Sequence, residues 1–316
     1  MNQPEKSTQY ELTIIGGGPA GVAGGVYAAR KQLDTVLITE NFGGQSEVSP
    51  EINNWIGTKS ISGSQWADNL EEHVRDYQGE FLEINEGTKA TDLQQNDHGE
   101  FIVNTDSGKE PIASQAVLVA SGAHRRKLDI PGAEEFENKG VVYCASCDGP
   151  LFADKDTVVI GGGDAGFEAA AQLASYTKSV TLLHHSEEFS ADPVTVDRVL
   201  ENDNVTAHTN AEPQEIVGGD FVEKIIYEDL DTDNLHELET DGVFVEIGLV
   251  PNTNFASNLL KTNEHNQIIT NPKDQTTSVA GVWAAGDVTN GLYHQNNIAA
   301  GDAVKAIEDI YLWLKT

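Results

Sequence analysis

The sequence predicts an α/β protein with two Rossmann-like nucleotide-binding domains of three-layer ββα architecture, the second inserted into the first. A β-branched strand that runs into a glycine-rich loop occurs twice, 145 residues apart. Two cysteines stand shortly before the second loop. The chain has 316 residues, 39% of them apolar, which exceeds the size of about 250–300 residues at which single cores stop growing.

The first unit begins with a predicted strand at 10–15, followed by a glycine loop and a helix through Arg30. A second strand, Thr35–Thr39, ends at Glu40, which can accept hydrogen bonds from a ribose. An isolated glycine loop could be an ordinary turn, but this strand, helix and acid order favours a dinucleotide site. The predicted contacts from the loop are Gly16, Gly18, Pro19, Ala20 and Gly21.

The second unit repeats this order, with a strand at 157–160, a helix from Phe167 and a strand at Ser179–Leu183. Two nucleotide units in one chain suggest one bound flavin and one exchanging electron donor. The predicted contacts from this loop are Gly161, Gly163, Asp164, Ala165 and Gly166.

Two further strands that end in glycine mark the expected domain crossings. The strand at 116–120 ends at Gly122, and the strand at 243–247 ends at Gly248. We therefore expect residues 1–123 and 247–316 to form the flavin domain and 124–246 the inserted domain. A last strand at 281–285 precedes Gly286 and Asp287, and a helix is expected near Gln295. Asp287 either holds a flavin ribityl hydroxyl or caps a helix.

Cys144 and Cys147 are the only cysteines, and their spacing allows a disulfide to close with little backbone movement. The alternatives are half of a zinc site, a structural disulfide or two inert thiols. Zinc needs about four protein ligands, and no second cysteine pair is present. A disulfide that closes so short a loop stabilises little. A redox-active pair is therefore favoured, with no metal.

Charge excludes several classes of partner. The 51 acidic and 19 basic residues give a formal net charge of −32, so nucleic acid and anionic membranes are not expected partners. No apolar run approaches the roughly 18 residues of a membrane span, and residues 1–10 lack the apolar core of a signal peptide. We expect a cytoplasmic protein whose dispersed acidic residues form a folded surface adapted to high salt.

With these residues in view, the chain resembles the low-molecular-weight thioredoxin reductases. The resemblance extends over nearly every segment, including both glycine loops and the Cys144 to Gly149 redox motif. It implies a homodimer with one FAD per chain and an inserted domain that rotates between two poses. Further FAD contacts are implied at Gly44, Gln45, Asn54, Gly122, Gly286, Asp287, His294, Gln295 and Asn296.

The resemblance also implies roles for the redox motif. Cys147 would lie against the flavin, Cys144 would attack the disulfide of thioredoxin, and Asp148 would supply a proton as general acid. Asp148 could instead only cap the next turn. Turnover separates this enzyme from a non-enzymatic redox sensor that binds flavin, and a small disulfide or a peroxiredoxin is an alternative acceptor.

Segment 184–190 departs from the resemblance, and this departure affects which electron donor is expected. NADPH-dependent members carry arginines there, whereas this chain has His184, Glu187 and Glu188 among its residues and no arginine. A 2′-phosphate should be repelled. NADH is therefore the favoured donor, with a glutamate on the ribose, while reduced ferredoxin and NADPH remain alternatives.

Repulsion among the acidic residues should weaken the fold at low salt, because screening lengths fall from about 10 Å at 0.1 M to about 3 Å at 1 M salt. We expect the thermal unfolding midpoint, measured by circular dichroism, to rise by several degrees from low to molar KCl. A sucrose series of equal osmolality controls for solute exclusion. A midpoint that stays flat or falls in KCl would contradict the expectation.

Overall fold

A computed structural model describes residues 9–49 and 51–316. Residues 1–8 of the predicted polar N-terminal segment 1–10 lie outside the described residues. The strands, in chain order, are β1 (Gln9–Ile15), β2 (Thr35–Thr39), β3 (Leu82–Glu86), β4 (Ala90–Gln95), β5 (Phe101–Thr105), β6 (Ile112–Val119), β7 (Ala123–Arg125), β8 (Val141–Val142), β9 (Asp156–Ile160), β10 (Ser179–Leu183), β11 (Val205–His208), β12 (Ala211–Gly218), β13 (Val222–Asp229), β14 (Asn234–Glu239), β15 (Gly242–Val245), β16 (Leu249–Pro251) and β17 (Val282–Ala284).

Helices connect many of these strands. They are α1 (Pro19–Arg30), α2 (Gly63–Arg75), α3 (Ala145–Asp148), α4 (Asp164–Leu173), α5 (Pro193–Leu200) and α6 (Asn296–Lys315). Short 3-10 helices occupy Gly44–Val48, Gly149–Phe152 and Asn254–Ala256. No helix in the described part of the chain is long and apolar enough to cross a membrane.

The chain divides into two compact units. The outer unit comprises residues 9–124 and 250–316, and the inserted unit comprises residues 125–249. The chain passes from one to the other within the short strands β7 and β16, which pair with each other. The predicted fold class, with one nucleotide-type sheet in each unit, is confirmed.

The outer unit is built on a sheet in the order β3-β2-β1-β6-β5-β4, with β17 also paired to β6. Strands β1, β2, β3, β6 and β17 are parallel, whereas β4 and β5 run antiparallel to their neighbours. Helices α1 and α6 pack together on one face of this sheet through a shared apolar cluster.

The inserted unit repeats this plan with a parallel sheet in the order β11-β10-β9-β15-β8. A separate antiparallel sheet, β12-β13-β14, covers one face, and helix α4 packs on the other. The inserted unit is therefore a three-layer ββα structure.

Successive side chains of the central strands point to opposite faces of each sheet, and both faces are covered by apolar clusters. In β1, Leu12 and Ile14 belong to the helix-side cluster, whereas Ile15 belongs to the cluster on the opposite face. In β9, Val159 faces the helices and Val158 faces the antiparallel sheet. Parallel strands covered on both faces need apolar side chains at consecutive positions, and the sequence supplies them.

Several predicted element bounds need correction. The helix expected from Phe167 begins at Asp164, because Gly163 is already the extended N-cap residue and Gly166 packs inside the first turn. The strand expected at 243–247 ends at Val245. The alternative that Asp287 caps a helix is wrong, because the nearest following helix, α6, begins at Asn296 with Gln295 as its N-cap residue.

Candidate active site and nucleotide sites

The two glycine loops have the same backbone geometry in both units. Gly16 and Gly161 have φ of +122° and +124°, a region that favours glycine. A β-carbon on Gly16 would lie 2.1 Å from the Ala120 carbonyl oxygen, and one on Gly161 would lie 2.2 Å from that of Glu246. The first glycine of each loop is therefore required where the loop crosses the end of a neighbouring strand.

The third glycine of each loop allows the helix to pack against the loop. A β-carbon on Gly21 would lie 1.7 Å from the Gly16 carbonyl oxygen, and one on Gly166 would lie 1.9 Å from that of Gly161. A β-carbon on Gly18 would meet nothing within 4 Å. The middle glycine of the first loop thus faces open space, as close approach of a ligand requires.

That open space belongs to a cleft of about 450 Å³ in the outer unit. The cleft lies at the carboxyl ends of β1 and β2, where ligands bind in open α/β sheets. The predicted FAD residues that line it are Gly16, Gly18, Pro19, Ala20, Glu40, Gly44, Gln45, Gly122, Gly286, Asp287 and Asn296. The predicted residues outside its lining are Gly21, Asn54, His294 and Gln295.

Hydrogen bonds connect the two distant segments that flank this cleft. Gln45 Nε2 donates to Asp287 Oδ2 at 3.3 Å, and Asn54 Nδ2 donates to Gln295 Oε1 at 3.1 Å. His294 Nδ1 lies 3.5 Å from Asp287 Oδ1. Of the predicted residues outside the lining, His294 therefore contacts the lining residue Asp287, whereas Asn54 and Gln295 contact each other.

Sequence reasoning missed several residues of the cleft. Lys89 lines it and forms an ion pair with Glu40, with Nζ 3.1 Å from Oε2. Asn252 lines it too, and its side chain donates to the Ser121 carbonyl oxygen at 2.8 Å. Neither residue lies in a recognisable motif, and Asn252 reaches the cleft only because the chain returns from the inserted unit.

In the inserted unit, the segment after β10 is bound to the second glycine loop. The Gly162 N–H donates to His184 Nδ1 at 3.2 Å, and His184 Nε2 donates to the Glu188 carbonyl oxygen at 3.0 Å. Burial lowers the pKa of His184, which favours this neutral form. Both ring nitrogens are engaged, so His184 joins the glycine loop to the segment after β10.

The other predicted residues of this site lie on both sides of the loop. Asp164 Oδ1 accepts a hydrogen bond from the Asp192 N–H at 2.9 Å, which connects the start of α4 to the same segment. Glu187 and Glu188 are exposed.

Cys144 and Cys147 form a disulfide at the start of α3, with a Cα–Cα distance of 5.3 Å. Cys144 is the N-cap residue, and its Sγ accepts a hydrogen bond from the Cys147 N–H at 3.2 Å. Both cysteines are half-buried, so the sulfurs are held by the fold while remaining accessible. The geometry excludes the alternative of two inert, separate thiols.

Asp148 is buried at the end of α3, and burial raises its pKa to about 6, which Arg125 partly offsets. Its Oδ1 atom has no hydrogen-bond partner among the described residues. Asp148 makes no capping bond to the 3-10 helix that follows, which removes the support for a purely capping role. A carboxyl group with this pKa can hold and release a proton near neutral pH.

Comparison with known proteins identifies the family. The model of the pyridine nucleotide-disulphide oxidoreductases matches residues 10–303. The chain belongs to this family. Among solved structures, thioredoxin reductase from Streptococcus pyogenes matches with a TM-score of 0.88 and 31% identity over 98% of this chain and 99% of that one. Thioredoxin reductase from Giardia duodenalis matches with a TM-score of 0.90 and 28% identity, over 98% and 99%.

Curated relatives of this pyridine nucleotide-disulphide oxidoreductase include a longer protein. One component of alkyl hydroperoxide reductase, from Staphylococcus aureus, is 41% identical over 302 residues, which is 96% of this chain and 58% of the relative. The chain thus spans little more than half of the length of these relatives. Together the comparisons confirm a flavoprotein disulfide oxidoreductase of the thioredoxin reductase type.

Gly21 and Gly18 of the first loop have different roles, and single substitutions can test each role. We expect Gly21→Ala to lower the free energy of unfolding of the apoprotein by about 1–3 kcal/mol, because its β-carbon would overlap the Gly16 carbonyl oxygen. Gly18→Ala, the matched control, should leave apoprotein stability unchanged but weaken flavin binding. Urea unfolding and titration of flavin fluorescence measure the two effects. Equal stability of both variants would contradict the assignment.

Asp148 should make stability depend on pH. Its folded pKa of about 6 exceeds its ordinary value of 3.8, so its contribution is fully present below about 3.8 and is lost as pH rises through about 6. The free energy of unfolding of the wild type minus that of Asp148→Asn should therefore fall by up to about 3 kcal/mol across this interval. Urea unfolding with the disulfide intact measures it, and the exposed Asp203→Asn should show no such fall.

Proposed function

We propose that this protein is an FAD-dependent disulfide reductase that passes electrons from NADH to the Cys144–Cys147 disulfide and from there to a thioredoxin-like protein. The single observation that carries this proposal is a redox disulfide, with a buried acid beside it, in the same unit as a glycine loop that lacks arginine partners.

The cleft of the outer unit suits FAD. Its floor includes Gly18 and Gly122, and a β-carbon on either would meet only open space. Helix α1 begins at Pro19 without a side-chain cap and without an acidic residue in its first turn, which suits a pyrophosphate. Glu40 at the end of β2 would hold the ribose, and Asp287 a ribityl hydroxyl. When bound, the flavin supplies electron transfer between the nicotinamide and the disulfide.

Reduction of the Cys144–Cys147 disulfide is a transfer of two electrons. NADH and one proton reduce the disulfide, which breaks the S–S bond and leaves two thiols and NAD⁺. The Cys144 thiolate then attacks the disulfide of the acceptor protein, and Cys147 resolves the mixed disulfide. Asp148, the buried last residue of α3, would protonate a departing thiolate, and its raised pKa supports this role.

The segment after β10 supports NADH as the donor. His184 uses both ring nitrogens to bind backbone atoms, so it presents no positive charge to a 2′-phosphate. Glu187 and Glu188 are exposed beside it, where a carboxylate can accept hydrogen bonds from a ribose. Segment 184–190 contains neither arginine nor lysine. The intact second loop favours a nucleotide donor over ferredoxin, and the missing cations favour NADH over NADPH.

A thioredoxin-like protein is the first candidate for the acceptor, supported by the likeness over the whole chain to thioredoxin reductases. The 41% identity to a component of an alkyl hydroperoxide reductase supports a second candidate, a disulfide of a peroxide-reducing protein. By the same family relationship we propose that the protein acts as a cytoplasmic homodimer. Reduction of purified proteins of both kinds distinguishes the acceptors.

Donor preference can be tested by anaerobic bleaching of the flavin with NADH, NADPH and reduced ferredoxin in turn. We expect NADH to bleach it with a preference of at least about tenfold over NADPH, because two carboxylates oppose the 2′-phosphate. Glu187→Gln with Glu188→Gln should shrink this preference through a lower NADPH KM, and Glu237→Gln on β14 should not.

Two outcomes would overturn the donor assignment. Equal rates with NADH and NADPH would show that distant cations bind the 2′-phosphate. Bleaching by ferredoxin alone would leave the second loop without a role in electron delivery. Full disulfide reduction by Cys147→Ser would contradict the role proposed for the cysteine pair.

A further inference from the structure

Glu246 is a buried acid that the proposed reaction does not use. It directly follows β15, and only 13% of its side chain is exposed. Its Oε2 atom lies 3.3 Å from Nη1 of Arg125. Its carboxylate also accepts a hydrogen bond from the backbone N–H of Ala145. Phe244 of β15 pairs with Val142 of the parallel strand β8, so Glu246 and Cys144 each follow these paired residues by two positions at the ends of neighbouring strands.

Arg125 faces two carboxyl groups at opposite ends of α3. It forms the ion pair with Glu246, which contacts the first residue of the helix. It also lowers the pKa of Asp148, the last residue of the helix. One guanidinium therefore lowers the pKa of both acids near the four-residue helix that carries Cys147.

The surroundings of Glu246 act on its pKa in opposite directions. Burial raises its pKa to about 7, against the opposing effects of Arg125 and of the Ala145 N–H, and Glu168 on α4 raises it further. A buried carboxylate that loses its cationic partner becomes protonated, because an unpaired charge is costly away from water. The ionisation of Glu246 thus depends on Arg125.

A charge this close to a thiol changes how readily the thiol loses its proton. A nearby cation favours the thiolate and a nearby anion disfavours it. While both are ionised, Glu246 cancels much of the effect that Arg125 would have on Cys144. Loss of the carboxylate alone would leave the guanidinium without its ion-pair partner near the strand end that leads into Cys144.

We propose that Arg125 and Glu246 are positioning residues of the redox site, and that the Glu246 carboxylate, held against the Ala145 N–H by Arg125, sets the pH at which reduced Cys144 becomes a thiolate. The pair keeps Cys144 protonated at pH values where an uncompensated arginine would ionise it. This inference rests on the proposed function only for the role of Cys144 as the attacking thiol.

The test measures the ionisation of Cys144 directly. A Cys147→Ser background leaves Cys144 as the only thiol in the chain. The rate of alkylation of the FAD-saturated, full-length protein by iodoacetamide is followed at constant ionic strength from about pH 5 to 10, which brackets the ordinary thiol pKa of about 8.5. Flavin content and circular dichroism confirm that each variant is folded.

We expect Glu246→Gln to move the alkylation midpoint down by about one pH unit, a tenfold gain in the ratio of thiolate to thiol. The glutamine can still accept the Ala145 hydrogen bond, so a purely structural role would not move the midpoint. Glu237→Gln is the matched control, because Glu237 pairs with Lys224 at 2.7 Å on the separate β12-β13-β14 sheet.

A double variant tests whether the pair acts as a unit. Adding Arg125→Met to Glu246→Gln removes the uncompensated cation, so the midpoint should return most of the way to that of the parent. A folded Glu246→Gln protein with the parent's midpoint, or a shift that persists without Arg125, would overturn the inference. Failure of the proposed donor or acceptor would appear only in turnover assays, since alkylation requires neither.

Discussion

A close backbone contact that leaves no room for a β-carbon is the constraint on which both halves of this molecule depend. In each glycine loop the first glycine lies against a carbonyl oxygen of a neighbouring strand, and the third lies against the carbonyl oxygen of the first. This contact places the helix N-terminus at the end of the central strand. The open position of Gly18 and the cleft around it follow from that arrangement.

The same loop geometry serves two chemically different surroundings. In the outer unit, the strand end beside the first loop carries Glu40, and the loop faces an open cleft. In the inserted unit, His184 accepts a hydrogen bond from the Gly162 N–H of the loop. It donates another to the Glu188 carbonyl oxygen in the following segment. A histidine used in this way holds the backbone of the loop without adding a cation.

Around the disulfide, burial strengthens the effect of a few charged groups on the pKa values of their neighbours. Asp148 and Glu246 have raised pKa values because both are desolvated, and Arg125 opposes the rise in both. In water such charges would be screened and of little consequence, but in a low-dielectric setting they control where protons reside. A single guanidinium therefore acts on the protonation of both carboxyl groups.

The fold class, the family and the redox pair could be predicted from the sequence, because the strand, the glycine loop and the Cys144 to Cys147 motif are local patterns whose spacing reflects their geometry. The start of α4 was misplaced because Gly166 packs within the helix, which the sequence does not reveal. The remaining features depend on packing between distant segments of the chain. The contacts of Gln45 with Asp287 and of Arg125 with Glu246 join residues more than 100 positions apart, and the burial of Asp148 depends on such packing.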